Sequence, residues 1–312
     1  MLDWLWRKGK VGVRAAWRAG IKLSFDAGLV VASNVALSLL LSLFPFLMLV
    51  AGLVRYFGGA ELTEDAVGLV LDTWPKGSAD AVSNAVRRAI ANDGSSFFSF
   101  STIVALVLAS NGVENARDGL NRAYRVPETR SFLWRRVQAL VVVVIGAFGL
   151  ILAASVLVGL PLLFDFLQDR TDMLDDPRVR ALLVVARYLA GGLVLFIVLW
   201  PFHRYLPAGD RKIRRTLPGI LVTIVGIIFG SEMFALYLDY NANYTALYAG
   251  LASIMITIFY LYIVSALLIY GAELNQTLME MEQEREHARA ARRRRRTRRR
   301  KGEPLADDAT AR

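Results

Sequence analysis

Long apolar runs alternate with charged connections along most of the chain. A bilayer core of ~30 Å is crossed by roughly 20 apolar residues at ~1.5 Å of helical rise per residue. Six runs come close to this length or exceed it, at residues 27–54, 97–113, 137–164, 181–202, 217–238 and 246–272. The pattern predicts an all-α polytopic membrane protein with about six transmembrane helices.

The charged connections predict how these helices are oriented. Lys and Arg are concentrated before the first run and after the second, fourth and sixth runs, whereas the other connections are net acidic. Short loops rich in Lys and Arg stay on the cytoplasmic side of a membrane. We therefore expect cytoplasmic N- and C-termini. The same rule favours a full span for the short second run over the alternative, a re-entrant hairpin.

Three regions follow from these patterns. Residues 1–26 carry Trp4, Trp6 and Trp17 among basic residues, which predicts a basic helix in the lipid headgroup layer rather than a solvated arm. Residues 27–280 form the six-helix transmembrane domain. Within it, an external helical hairpin is expected at about 58–96, because apolar residues recur there at helical spacing. Residues 281–312 form a charged, Arg-rich cytoplasmic tail that we expect to be disordered.

The amino-acid composition argues against several kinds of functional site. Of the 312 residues, 55% are hydrophobic, and the mean hydropathy is +0.42, so the chain has more apolar surface than one soluble core needs. It has no Cys and only His203 and His287, which argues against thiolate and imidazole metal sites. We expect no metal, no cofactor and no enzymatic activity. The net charge of +10 lies largely in the tail, where it predicts attraction to anionic lipids rather than to a specific nucleic acid.

Two charged residues interrupt the predicted spans. Arg187 and Glu232 each lie about two turns inside a predicted helix from its external end, so they have similar depth in the outer leaflet. A structural ion pair is one interpretation. The other is an outward pocket formed with Arg55, whose surplus positive charge would suit an anionic headgroup or solute.

Two further sets of polar residues stand out. Asn34, Ser38 and Ser42 share one face of the first predicted helix, as expected either for a helix packing seam or for the lining of that polar pocket. A dense polar stripe follows the second run, and a salt-bridged helical extension or a gate would both account for it. We call this stripe the polar cluster, with Asn111, Glu114, Arg117 and Asp118 as its candidate site residues.

Five short motifs occur in order along the chain. They are SLFP at 42–45, NGVENARDGLNRAYRVPETRSF at 111–132, ALYL at 235–238, LYAGLA at 247–252 and YGAEL at 270–274. Together they resemble the YihY/BrkB family of bacterial inner-membrane proteins, over most of residues 27–278. The resemblance implies six helices in the plasma membrane and a role that is linked, in some members, to serum resistance or lipid export. Members have also carried the label ribonuclease BN.

Three hypotheses for function follow. The preferred one is a transporter or flippase-like exporter of an amphipathic or anionic envelope component, located in the bacterial plasma membrane. The second is a non-transporting membrane scaffold that recruits partners, and a homo-oligomer is compatible with either. A membrane-associated ribonuclease ranks last, because the sequence shows no convergent carboxylates or histidines that could hold a catalytic metal.

Overall fold

A computed structural model describes residues 2–25, 27–72, 100–168, 177–240 and 252–301 of the chain. The described residues form seven α-helices, which confirms the all-α prediction. We number them in chain order as α1 Leu2–Phe25, α2 Gly28–Asp72, α3 Phe100–Ala123, α4 Phe132–Gln168, α5 Pro177–Arg204, α6 Ile213–Tyr240 and α7 Ala252–Lys301.

The described residues of each predicted apolar run lie in a different helix from α2 to α7, apart from Ala27, which directly precedes α2. Four segments are long and apolar enough to cross a membrane, at Gly28–Val50, Phe132–Ile151, Ile213–Leu238 and Ile254–Arg292. The apolar part described in α5, Gly191–Arg204, is shorter. The polytopic membrane fold is therefore confirmed, and the number of six spans stays a prediction.

The helices pack around one apolar core that draws residues from α2 to α7, such as Val35, Leu120 and Ile220. The opposite faces of the same helices expose large apolar side chains, including Leu41 and Val225. A soluble protein of this size would not expose so many, and they suit contact with lipid acyl chains. A second, smaller core holds α1 on α7 through Ala15 and Ala19.

The helices are longer than the sequence patterns predict. α2 continues without a break to Asp72, so the first part of the expected hairpin extends this helix. The rest of that hairpin, at 73–99, lies outside the described residues. α7 continues to Lys301, so the part of the predicted tail at 281–301 is helical, and the remainder of that tail, at 302–312, lies outside the described residues. The physical reason is composition, because Ala, Glu and Arg are strong helix formers even where no core is available.

Candidate functional site at the basic end of the bundle

Two connections and the ends of several helices meet at one end of the bundle, which we call the basic end. It comprises the α3–α4 connection at 124–131, the α5–α6 connection at 205–212, the last turn of α1 and the part of α7 from 273 to 280. The basic end holds the most extensive polar network among the described residues. The positive-inside rule predicts that it faces the cytoplasm.

A buried network centres on Tyr124, the first residue of the α3–α4 connection. The backbone N–H of Gly219 donates to Oδ1 of Asn275 over 2.7 Å, which fixes how the Asn275 amide points. Nδ2 of Asn275 then donates to the Tyr124 hydroxyl over 3.0 Å and to the carbonyl oxygen of Thr216 over 2.9 Å. The Tyr124 hydroxyl lies 3.1 Å from Nδ1 of His203. This network joins α3, α5, α6 and α7.

Burial sets the protonation of this network. Desolvation lowers the pKa of His203, which follows the apolar run 181–202, to about 3, and it raises the pKa of Tyr124 to about 12. Both groups are therefore neutral near neutral pH. The Arg211 guanidinium covers the Tyr124 ring with its Cζ 4.1 Å from the ring centroid, a cation–π contact.

A second network joins the two connections directly. Arg130 donates to both carboxylate oxygens of Glu128 over 2.8 Å and to the carbonyl oxygen of Leu206 over 2.7 Å. Asn121 donates to the same carboxylate over 3.0 Å and accepts the backbone N–H of Ala208 over 2.7 Å. Hydrogen bonds from Arg130 lower the pKa of Glu128 to about 2, so this carboxylate stays charged.

Ion pairs tie α1 and the α3–α4 connection to α7. Nη2 of Arg125 lies 3.0 Å from Oε2 of Glu273, whose side chain is only 5% exposed. Nη1 of the same arginine lies 3.5 Å from Oε1 of Glu280, and Lys22 of α1 contacts the other oxygen of that carboxylate over 2.5 Å. Arg125 adopts a positive φ of 53°, which turns its side chain toward α7.

The structure places the predicted polar cluster beside the start of α4. Arg117 is fully buried, and its Nη1 pairs with Oε2 of Glu114 over 2.5 Å. Asn111 accepts a hydrogen bond from Arg136 over 2.9 Å. Asp118 is exposed, yet its pKa is raised, first by partial burial and then by the charge of Glu114.

The polar face of α2 divides between a helix contact and the surface. The hydroxyl of Ser38 donates to the carbonyl oxygen of Asn111 over 3.3 Å and accepts a hydrogen bond from Asn115 over 2.8 Å. Ser42 is buried where α2 meets Gly112 of α3. Both serines therefore lie in a packing seam, whereas Asn34 is exposed. Ser38 belongs with the polar cluster.

The predicted outer pocket is described only in part. Glu232 lies in the membrane-spanning part of α6, and its side chain is exposed in the single chain. Arg187 and Arg55 lie on α5 and α2, but their side chains are outside the described part of the structure. The pairing of Arg187 with Glu232 stays a prediction.

Sequence reasoning missed the residues at the centre of the basic end, above all His203, Asn275 and Glu273. One signal could have found two of them, since Glu273 and Asn275 are polar residues that directly follow the last apolar run, at 246–272. His203 was considered only as a metal ligand. In the portion of the chain that is described, no group of three or more His, Asp or Glu residues could hold a metal ion.

Comparison with known proteins gives the chain its family. The sequence profile described as "Virulence factor BrkB" matches residues 22–296. The putative ribonuclease-like protein YfkH of Bacillus subtilis (strain 168) is 28% identical over 246 residues, which cover 79% of this chain and 88% of that protein. The UPF0761 membrane protein VP0125 of Vibrio parahaemolyticus serotype O3:K6 (strain RIMD 2210633) is 25% identical over 268 residues, or 84% of this chain and 81% of that protein.

No solved structure matches the chain. The family match is nevertheless extensive, because residues 22–296 include α2 to α6, most of α7 and every connection of the basic end. The Vibrio relative is named as a membrane protein, which agrees with the long apolar helices of this chain. This chain belongs to the virulence factor BrkB family of membrane proteins.

Proposed function

We propose that this protein is a transporter or flippase-like exporter that moves an amphipathic or anionic envelope component across the bacterial plasma membrane. In this proposal the basic end faces the cytoplasm and both termini are cytoplasmic. The outer half of the bundle contributes a charged pocket that includes Glu232, and the basic end is the closed cytoplasmic side of the pathway.

Glu232 is the observation that carries the proposal. It lies in the apolar segment Ile213–Leu238 of α6. A charged side chain at the centre of a membrane helix costs ~2.5–3.5 kcal/mol on insertion scales, and charged residues within membrane spans commonly face the interior of the bundle and take part in function.

The basic end supports the proposal from the other side of the bundle. Its hydrogen bonds and ion pairs join five helices, α1, α3, α5, α6 and α7, to one another and to the two connections. A polar network of this kind can open when its charged partners separate, whereas an apolar core resists such rearrangement. A pathway that is closed at the basic end and lined by charged residues near the opposite end of the bundle suits an alternating-access mechanism.

Lipid exchange in proteoliposomes tests the proposal. Full-length protein is reconstituted with fluorescent phosphatidylglycerol or phosphatidylethanolamine, and dithionite quenching reports the fraction that moves between leaflets. We expect wild-type vesicles to exchange the anionic lipid at least about tenfold faster than protein-free vesicles, and Glu232→Gln to remove most of this gain.

A matched control separates the role of Glu232 from a general effect of charge. Glu282 is an exposed carboxylate on α7, and Glu282→Gln should leave exchange unchanged. Wild-type vesicles that exchange neither lipid faster than empty vesicles would overturn the proposal for lipid components. Equal loss in both variants would show that Glu232 has no special role.

A non-transporting scaffold is the second candidate. The many satisfied hydrogen bonds of the basic end favour it, because such a network can simply fix the helices in place. A ribonuclease ranks last. The Bacillus relative is named a putative ribonuclease-like protein. Among the described side chains of this chain, however, no carboxylate or histidine cluster could hold a metal for RNA hydrolysis.

A further inference from the structure

The end of α3 and the start of α4 bring several arginines together inside the protein. Arg117 on α3 has no exposed surface, and its Nη2 donates to the backbone carbonyl oxygen of Arg135 over 3.0 Å. That bond places the Arg117 guanidinium against the first turn of α4. Arg136 follows in the same turn and contacts Asn111.

Several guanidinium donors at this junction lack an acceptor. Nε of Arg117 and Nε of Arg135 are both buried and have no hydrogen-bond partner among the described residues. Nη1 of Arg117 lies close to Glu114 as an ion pair but makes no hydrogen bond of acceptable geometry. A buried donor without an acceptor costs ~1–3 kcal/mol, and more when it is charged. Oε1 of Glu114 is also buried without a partner, so the junction holds three unpaired donors and one unpaired acceptor among the described residues, and a group with acceptor oxygens would satisfy the donors.

The local charge favours an anion as that group. Four guanidinium groups stand near three carboxylates here, so one positive charge is in surplus; they are those of Arg117, Arg130, Arg135 and Arg136 against those of Glu114, Asp118 and Glu128. The pKa of Asp118 is raised, first by burial and then by the charge of Glu114. The N-terminus of α4 adds a partial positive charge of its own.

Exposed apolar residues place this junction at the membrane surface. Phe132, Leu133 and Trp134 begin α4 and are 70%, 74% and 60% exposed. The membrane-spanning segment of α4 begins at the same residue, Phe132. The Arg135 guanidinium lies over the Phe132 ring with its Cζ 5.8 Å from the ring centroid. Aromatic residues beside arginines at the end of a span are typical of the headgroup layer.

We propose that the junction between Arg117 and Arg135 is a phosphate-binding site. The phosphate is presented either by the headgroup of an anionic lipid or as free phosphate. The planar guanidinium groups match the geometry of a phosphate, whose oxygens provide the acceptors that the buried guanidinium donors lack. Phe132, Leu133 and Trp134 would contact the acyl chains of a bound lipid. The site lies on α3 and α4, whereas Glu232 lies on α6, so it does not depend on the role proposed for Glu232.

Ligand titration of purified full-length protein in a nonionic detergent tests this site. Microscale thermophoresis measures the affinity for dioctanoyl phosphatidylglycerol, for the zwitterionic dioctanoyl phosphatidylcholine and for inorganic phosphate. We expect saturable binding of phosphatidylglycerol to the wild type and about tenfold weaker binding to Arg135→Gln. The substitution leaves the backbone carbonyl at position 135 in place, so this variant keeps the bond that positions the buried Arg117.

Two further variants serve as a control and as a second test of the site. Arg122→Gln removes an exposed arginine from the same helix as Arg117 and should change the affinity by less than about twofold. Arg117→Lys keeps the buried charge but removes the Nε donor, and it should weaken binding while the protein stays monodisperse. If Arg117→Lys does not fold, Arg135→Gln still decides the question.

The outcomes separate the two sources of phosphate. Competition by inorganic phosphate shows that the phosphate group alone is recognised, so free phosphate can occupy the site. Loss of phosphatidylglycerol binding in Arg135→Gln without competition assigns the site to the lipid headgroup. The proposal is wrong if Arg135→Gln binds phosphatidylglycerol as tightly as the wild type, or if the wild type binds phosphatidylcholine equally well.

Discussion

The Tyr124 hydroxyl donates its hydrogen bond to Nδ1 of His203, 3.1 Å away. The direction follows from Asn275, whose Oδ1 accepts from a backbone N–H and whose Nδ2 must therefore donate to the Tyr124 oxygen. That leaves the hydroxyl proton for His203. The buried imidazole consequently carries its own proton on Nε2, an atom that has no hydrogen-bond partner in the described part of the chain.

The neutral state of His203 predicts a pH dependence of stability. Its pKa is about 3 in the folded protein and 6.5 for an unburied histidine, so below about pH 6.5 the unfolded chain takes up a proton that the folded protein does not. The free energy of unfolding should therefore decrease as the pH is lowered, by about 2 kcal/mol from about pH 7 to pH 5. Chemical unfolding in detergent at the two pH values measures this loss.

The two histidines of the chain provide a matched pair for that experiment. His203→Asn keeps an acceptor for the Tyr124 hydroxyl and should remove most of the pH-dependent loss. His287 is exposed on α7, and His287→Asn should keep the wild-type profile. If both variants lose stability with pH as the wild type does, His203 is not the group that titrates.

Arg130 should not be replaceable by lysine. Its guanidinium serves both oxygens of Glu128 and also the carbonyl oxygen of Leu206, which a single ammonium group cannot do with the same geometry. Arg130→Lys should lower the free energy of unfolding by about 1.5–3 kcal/mol. Arg122→Lys, at an exposed position of α3, should change it by less than about 0.5 kcal/mol.

Acid titration gives a second measurement of the Arg130 contact. The pKa of Glu128 is lowered from 4.5 to about 2, so its contribution is complete above pH 4.5 and is lost as the pH falls toward 2. The Arg130→Lys protein should lose less stability across this range than the wild type. Identical acid profiles would contradict the assigned role of Arg130.

Arg125 should tolerate glycine better than alanine. Both variants remove the ion pair with Glu273 and leave that carboxylate buried, at a cost of about 1–3 kcal/mol. The φ of 53° at this position strains a residue with a Cβ, so Arg125→Gly should be about 1 kcal/mol more stable than Arg125→Ala. The difference between their unfolding midpoints measures this, and equal midpoints would argue against the left-handed conformation.

The helices could be predicted from the sequence because each apolar run is a local signal. The described part of each of the six runs belongs to one helix, and the resemblance to the family is confirmed. The ends of the helices were predicted less well. α7, for example, continues beyond residue 281, where the composition alone favours a helix. Local patterns carry no information about where a helix ends without a capping residue or a core.

The partners of the polar residues could not be predicted in the same way. Tyr124 meets His203 across 79 residues of sequence and Asn275 across 151. Periodicity shows that a residue is polar and on which helical face it lies, but the opposite side of the contact depends on how the helices pack. For that reason the polar cluster on α3 was found from spacing, whereas the network around Tyr124 was not.

Gly219 allows α6 and α7 to approach most closely, and it supports the last prediction. A Cβ at this position would overlap the carbonyl oxygen of Gly271 and the Asn275 amide, so Gly219→Ala must push the two helices apart. That shift would break the network around Tyr124, and we expect a loss of at least about 3 kcal/mol. Thermal unfolding followed by circular dichroism measures it.

Gly191 on α5 is the matched control, because a Cβ there would meet no atom of the described residues within 4 Å. Gly191→Ala should be neutral or raise the unfolding temperature, since alanine favours a helix by up to about 1 kcal/mol over glycine. If Gly219→Ala is as stable as Gly191→Ala, the close approach of α6 and α7 is wrong. The Asn275 contacts that depend on it would then be wrong as well, and with them the donor order that places the His203 proton on Nε2.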